Sequence, residues 1–202
     1  MTTKIHLNKN ELQAIASMIN VTAPKDNVTA LSMVQLTANI DGSLSLVATN
    51  RMVIGEQAFT PHYPVEVDEP ITILLTPNIL KAFKASKFDG TLMIFEDQIS
   101  FSTIGSATIT DSLPKDKFPD VSAYLPSAID FDMIKPSTGF SRVNLDLLAQ
   151  VSKLRAPSDD RTDNPVFDLY TQEMTDTGKP KPIIVTRAAR SLMAVIQPMY
   201  VK

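Results

Sequence analysis

Ser191-Leu192-Met193-Ala194-Val195-Ile196-Gln197-Pro198-Met199-Tyr200-Val201-Lys202 is the stretch on which the reading of this chain turns. From Leu192 to Val201 it is an apolar run with β-branched residues, which is a strand pattern. A strand ending one residue before the last has to be tucked into a fold. The expectation is therefore a sheet whose final member is this C-terminal segment.

Working outward, three segments carry helix signals. The first starts after Asn8, a capping residue with Glu11 three positions later, and Leu12, Ile15, Ala16 and Ile19 follow at helical spacing. The second starts at Thr76-Pro77, a cap followed by proline at the first helical position, with Ile79, Leu80 and Phe83 on its apolar face. The third spans about Asn144 to Leu154, with Leu147, Leu148, Val151 and Leu154 at the same spacing.

Strand patterns follow each helix. After the first come Leu31 to Ile40, an Asp41-Gly42 turn, Leu44 to Thr49 and Met52 to Phe59. Asp-Gly between alternating segments is a strong hairpin signal. After the second come Thr91 to Phe95, Ile99 to Ile104 and Ala107 to Leu113; after the third, Val166 to Tyr170, Pro182 to Thr186 and the tail. Strands also precede the first two helices, at Lys4 to Leu7 and Ile71 to Leu75. The chain thus reads as three copies of strand, helix and three-stranded meander, repeating at about 65 residues without obvious sequence identity. One such unit has an apolar helix stripe and an apolar sheet face, and needs a neighbour to bury both. The fold class is α+β, and the pattern alone also fits a generic α+β domain.

Composition narrows the function classes. The chain has 202 residues, 44% hydrophobic and 20% charged, ordinary for a globular protein with a real core. It has no apolar run of membrane-spanning length, and Met1 to His6 lacks the apolar core of a signal peptide, so the expected setting is cytoplasmic, with no membrane partner. Without cysteine there are no disulfides or thiolate metal sites. A net charge of -3 gives no overall attraction to nucleic acid, although 19 lysines and arginines leave room for a local basic surface. Catalysis has little support: there are two histidines, His6 and His62, and no glycine-rich phosphate loop. The acidic cluster Asp159-Asp160-Arg161-Thr162-Asp163 is bracketed by Pro157 and Pro165 and reads as a loop. Such a loop is a poor place for carboxylates that must hold two metals about 4 Å apart. The expectation is a non-enzyme with no cofactor and no metal.

Several segments resemble the bacterial DNA polymerase sliding clamp, the β-subunit family. Val195-Ile196-Gln197-Pro198-Met199-Tyr200-Val201 resembles its C-terminal peptide. Leu44-Ser45-Leu46-Val47-Ala48-Thr49-Asn50-Arg51-Met52 resembles a middle-domain stretch of the form Val-Ala-Thr-Asp-Gly-His-Arg-Leu, shortened after Asn50. Phe118-Pro119-Asp120 resembles the segment that closes the same domain. Gly139-Phe140 resembles the lead into the last clamp helix, and Lys181-Pro182-Ile183-Ile184 the strand after it. These segments occur in the family's order and cover most of the chain. The resemblance implies a DNA-clamp fold with helices on one face and antiparallel sheets on the other. Residues 1–126 would be one complete clamp-type domain, similar to the middle domain, and 127–202 a half-module similar to the end of the C-terminal domain. A chain so shortened puts ring closure in doubt.

The resemblance also implies two sites. A client-peptide pocket would be lined by Arg51, Met52, Pro119 and Tyr124 from the first domain. Pro182, Val195, Ile196, Pro198, Met199, Tyr200 and Val201 would line it from the half-module. An apolar groove with methionine suits short extended peptides of varied sequence. Tyr200 stands where the family has arginine and Gln197 where it has its first methionine, which alters peptide preference. Each pocket residue has the alternative of being ordinary core or edge. A DNA-facing surface would comprise Lys9, Lys81, Lys84, Lys87, Arg142, Lys153 and Arg155, since sliding needs phosphate attraction without base reading. The alternative is a solvated helix face. Implied partners are duplex DNA, bound non-specifically, DNA polymerase or other clamp-binding proteins through short peptide motifs, and further copies of the chain. Two other functions remain open: a non-ring clamp fragment acting as client-binding adaptor or decoy, and a small-molecule-binding α+β protein.

Overall fold

The computed structural model describes residues 2–23, 29–125, 144–158, 168–170, 182–187 and 192–197. The chain order is β1 (Thr3–Leu7), α1 (Lys9–Ser17), β2 (Val34–Ala38), β3 (Leu44–Thr49), β4 (Val53–Phe59), β5 (Ile71–Leu75), α2 (Pro77–Ala85), β6 (Gly90–Ile94), β7 (Gln98–Thr103) and β8 (Ile109–Ser112). Then come α3 (Leu145–Val151), β9 (Asp168–Tyr170), β10 (Ile183–Arg187) and β11 (Leu192–Ile196). The fold is α+β, with every strand pairing antiparallel.

The caps read from sequence form. The Asn8 side chain accepts the Glu11 N–H at 2.9 Å, while Glu11 Oε2 accepts the Asn8 N–H at 2.7 Å, a reciprocal capping box. Thr76 caps α2, with Pro77 at its start, and the Asn144 side chain accepts the Asp146 N–H at 2.8 Å to begin α3. Gly42 turns the β2–β3 hairpin at φ +80°, a conformation glycine reaches without a Cβ clash. Asp41 braces this turn by accepting the N–H and hydroxyl of Ser43 at 2.9 and 2.6 Å, and those bonds hold its carboxyl below the usual carboxylate range.

The units are not self-contained. One sheet runs β1-β6-β7-β8 and the other β5-β2-β3-β4-β11-β10-β9. The strand leading into α1 therefore pairs with the meander after α2, and the strand leading into α2 pairs with the meander after α1. This exchange ties the first two units into one body, with α1 and α2 packed against each other. The third meander extends the larger sheet through β11 against β4, and α3 packs on the 3-10 turn Met18–Val21 that ends α1.

Alternation explains the core. Val34, Leu36 and Ala38 of β2, with Leu44, Leu46 and Ala48 of β3, point to the helices. They join Leu12, Ile15, Ile79, Leu80, Phe83, Leu147 and Val151 in one buried cluster. A second, smaller cluster lies on the opposite face of the larger sheet, where Phe118 packs with Ala30, Val47, Ile54 and Leu74. Some strands are shorter than the sequence pattern predicts. β2 begins at Val34 because Thr29–Ser32 forms a 3-10 turn, and β11 is described only to Ile196. No helix among the described residues is long and apolar enough to cross a membrane.

Candidate functional site

The β3–β4 turn is built by side chains closing on their own backbone. Asn50 Oδ1 accepts the N–H groups of Met52 and Val53 at 3.0 and 2.9 Å. Thr49 Oγ1 accepts the Arg51 N–H at 3.1 Å and donates to the Val53 carbonyl at 2.8 Å. This closure puts Arg51 at φ 73°, in the left-handed region, and leaves Met52 46% exposed at the tip.

The seam between β4 and β11 begins at this turn. Ile196 pairs with Val53 and Val195 with Ile54, and the Gln197 N–H donates to the Met52 carbonyl at 2.9 Å. On the other side of β11, Ile183 pairs with Ile196, so Pro182 lies at the same end of the sheet as Gln197 and Met52. Ile54 then links to the Phe118 segment, which belongs to the smaller cluster with it, and Val121 and Leu125 pack there as well. Asp120 holds this segment by accepting the Ser122 N–H at 3.0 Å. Hydrogen bonds from the Ser122 side chain and backbone, and then the charge of Lys117, keep the Asp120 carboxyl below its usual range.

The structure therefore gathers Arg51, Met52, Pro182 and Val195 around one end of the seam, with Pro119 half-buried and Tyr124 57% exposed on the segment beside it. Ile196 is different: its side chain lies in the main core on the helix-facing side, opposite to that of Val195. Pro198, Met199, Tyr200 and Val201 lie outside the described residues.

Three residues not singled out by sequence join the seam from the helix side. Asn50 Nδ2 donates to Gln150 Oε1 of α3 at 2.8 Å. Gln57 is fully buried and donates from Nε2 to the Arg155 carbonyl at 2.7 Å, while its Oε1 has no partner among the described residues. The Arg155 N–H donates to Ser17 Oγ at 2.9 Å. A polar residue on a half-exposed helix face, as Gln150 is, gives no sequence signal. Gln57 did give one, as a polar residue on the inward-facing positions of β4.

Of the cationic residues, Lys81 and Lys84 project from α2, and Lys87 follows its end; all three are exposed. Lys153 is exposed just beyond α3, whose outward side also carries Asp146. Lys9 and Arg155 are half-buried, and their main chains bond to Asp89 Oδ1 and to Ser17 and Gln57. Arg142 lies outside the described residues. No cluster of three or more histidine, cysteine or carboxylate groups suited to a metal occurs among the described residues.

No protein-family model and no curated protein matches this sequence. Solved structures do. A Helicobacter pylori β clamp in complex with diflunisal is 10% identical with a TM-score of 0.73, over 99% of this chain and 66% of its own. The Helicobacter pylori β clamp bound to a DNA ligase peptide is 12% identical with a TM-score of 0.71, over 98% and 66%. The Pseudomonas aeruginosa DNA polymerase sliding clamp is 13% identical with a TM-score of 0.64, over 98% and 67%. The chain spans about two thirds of the length of these clamps. Across nearly all of its length, this chain has the fold of the bacterial DNA polymerase III β sliding clamp.

Proposed function

We propose that the chain is a sliding-clamp-like recruitment factor. Its helix layer attracts duplex DNA without reading sequence, and its β4–β11 seam captures short peptides of DNA polymerases or other client proteins. Residues 1–126 serve as a complete clamp domain and 127–202 as a half-module docked on it. The reading involves no catalytic step. The observation that carries it is the meeting of Met52 and Gln197, from different units, at one exposed end of a continuous sheet. A solved clamp with this fold is bound to a DNA ligase peptide. An extended peptide loses much conformational freedom on binding, and a seam already closed by backbone pairing limits what the protein itself must reorganise.

The test is a titration of the intact chain with a short synthetic peptide bearing glutamine and large apolar residues. Two variants accompany it, Met52→Glu and a chain lacking Met199 to Lys202. The expected outcome is saturable binding by the intact chain and its loss in both variants, with their melting transitions retained. Equal binding by intact and altered chains overturns the pocket assignment. A second reading is a client-binding adaptor that closes no ring. A monomeric or dimeric mass in solution supports it, and a discrete closed oligomer supports the ring.

A further inference from the structure

Met52 is held from two directions by the third unit. On the sheet side, Gln197 donates to its carbonyl at 2.9 Å. On the helix side the hold is indirect. The Met52 N–H bonds to Asn50 Oδ1, and the same side chain reaches α3 through Nδ2 to Gln150 Oε1 at 2.8 Å.

The orientation of these amides follows from the bonds. Asn50 Oδ1 already accepts two backbone N–H groups, from Met52 and Val53, so its Nδ2 must face α3. Only an acceptor satisfies Nδ2, and Gln150 supplies it with Oε1. Asn50 cannot rotate to serve α3 differently without giving up both backbone bonds. The turn needs such a brace because Arg51 sits at φ 73°, a conformation that a residue with a Cβ holds only when its surroundings enforce it.

We infer that Gln150 of α3 is the positioning residue for the Met52 wall of the seam: it locks the Asn50 amide, which locks the turn presenting Met52. The inference rests on the proposed peptide-binding role for its consequence, though not for the positioning itself. It makes the groove sensitive to α3, the helix just beyond which Lys153 lies. A ligand on the helix layer that shifts α3 thereby alters peptide affinity, and the effect is reciprocal.

The test uses the full chain with two substitutions. Gln150→Met keeps length and apolar stem and removes the acceptor; Gln150→Glu keeps an acceptor oxygen in the same place. Amide hydrogen exchange at Met52 and Val53 reads the turn, and titration with the synthetic peptide reads the groove. Gln150→Met is expected to speed exchange at these two amides and to weaken peptide binding about fivefold, the scale of one net hydrogen bond. Gln150→Glu is expected to restore both, and amides of the β6–β7 pair are expected to be unchanged in either variant. Exchange at Met52 and Val53 equal to wild type in Gln150→Met overturns the inference. So does failure of Gln150→Glu to rescue, or loss of protection throughout the protein. If the intact chain takes up no peptide while the exchange pattern follows expectation, the groove reading falls and the positioning of the turn stands.

Discussion

The Gln197 N–H donates to the Met52 carbonyl at 2.9 Å, and this single backbone bond closes the end of the seam between the first and third units. The seam otherwise consists of the five residue pairs from Leu192–Gln57 to Ile196–Val53. Replacing Gln197 by proline removes that donor while keeping an extended backbone, since proline and the residue before it both favour that region. The expected loss is about 1 kcal/mol of stability, the net worth of one hydrogen bond. Thermal melting measures it. A larger effect on peptide titration than on melting would mark the bond as part of the groove.

Arg51 offers a prediction with opposite signs. At φ 73° a residue with a Cβ costs roughly 1–2 kcal/mol relative to glycine, partly offset by the greater freedom of unfolded glycine. Arg51→Gly is therefore expected to leave stability unchanged or raise it by up to about 1 kcal/mol. Arg51→Val places a β-branched side chain at the same φ and is expected to lose at least about 1 kcal/mol. Urea midpoints of the two variants should bracket the wild type. If glycine destabilises as much as valine, contacts of the arginine side chain outweigh the backbone term.

The lysines of α2 test the DNA surface. Lys81 and Lys84 are exposed and lie on a helix whose core contacts are made by Ile79, Leu80, Ala82 and Phe83. Charge reversal at both positions leaves those contacts intact. If both meet phosphates, the log–log salt dependence of duplex binding should flatten by about 0.9 per contact removed. Filter binding or anisotropy across a salt series measures the slope. An unchanged slope assigns both lysines to solvation.

Much of the architecture was legible because it is local. Asn8 with Glu11, Thr76 with Pro77, and Asp41 with Gly42 act within a few residues, and each produced the cap or turn that its chemistry dictates. Period-2 alternation likewise gave β2 and β3 a core face before any partner was known. What was not legible is pairing at long range. Nothing in Lys4-Ile5-His6-Leu7 says that it pairs with the meander after α2 rather than the one after α1. The pocket residues show the same division. Period 2 puts Val195 and Ile196 on opposite faces of the sheet; Ile196 went to the core on the helix side, and Val195 is buried on the other. Gln150 was invisible because its meaning depends on Asn50, which lies 100 residues away.

Gly90 tests the packing beside that long-range exchange. It sits in β6 opposite Leu7 of β1 and Thr103 of β7, at the point where the first unit's leading strand joins the second unit's sheet. A Cβ there would press on Phe101 Cε2, 2.7 Å from Phe101 Cζ and 3.1 Å from the Ser102 carbonyl oxygen. The Phe101 ring cannot withdraw freely, because it stacks edge-on against Phe83 of α2 with centroids 4.7 Å apart, and both rings are buried. The added methyl group must displace a packed ring or shift β6, and such overpacking costs about 1–3 kcal/mol. Gly90→Ala is therefore expected to lower the unfolding free energy by that amount, read as a fall in the urea midpoint, despite alanine's smaller loss of backbone entropy. Phe101→Leu alone should also destabilise, through the lost stacking and the space it leaves. Combined, the two changes should cost less than the sum of the parts, since leucine vacates the volume the new methyl group needs. Strict additivity in this double-mutant cycle would mean that Gly90 and Phe101 do not share the space between β6 and β7.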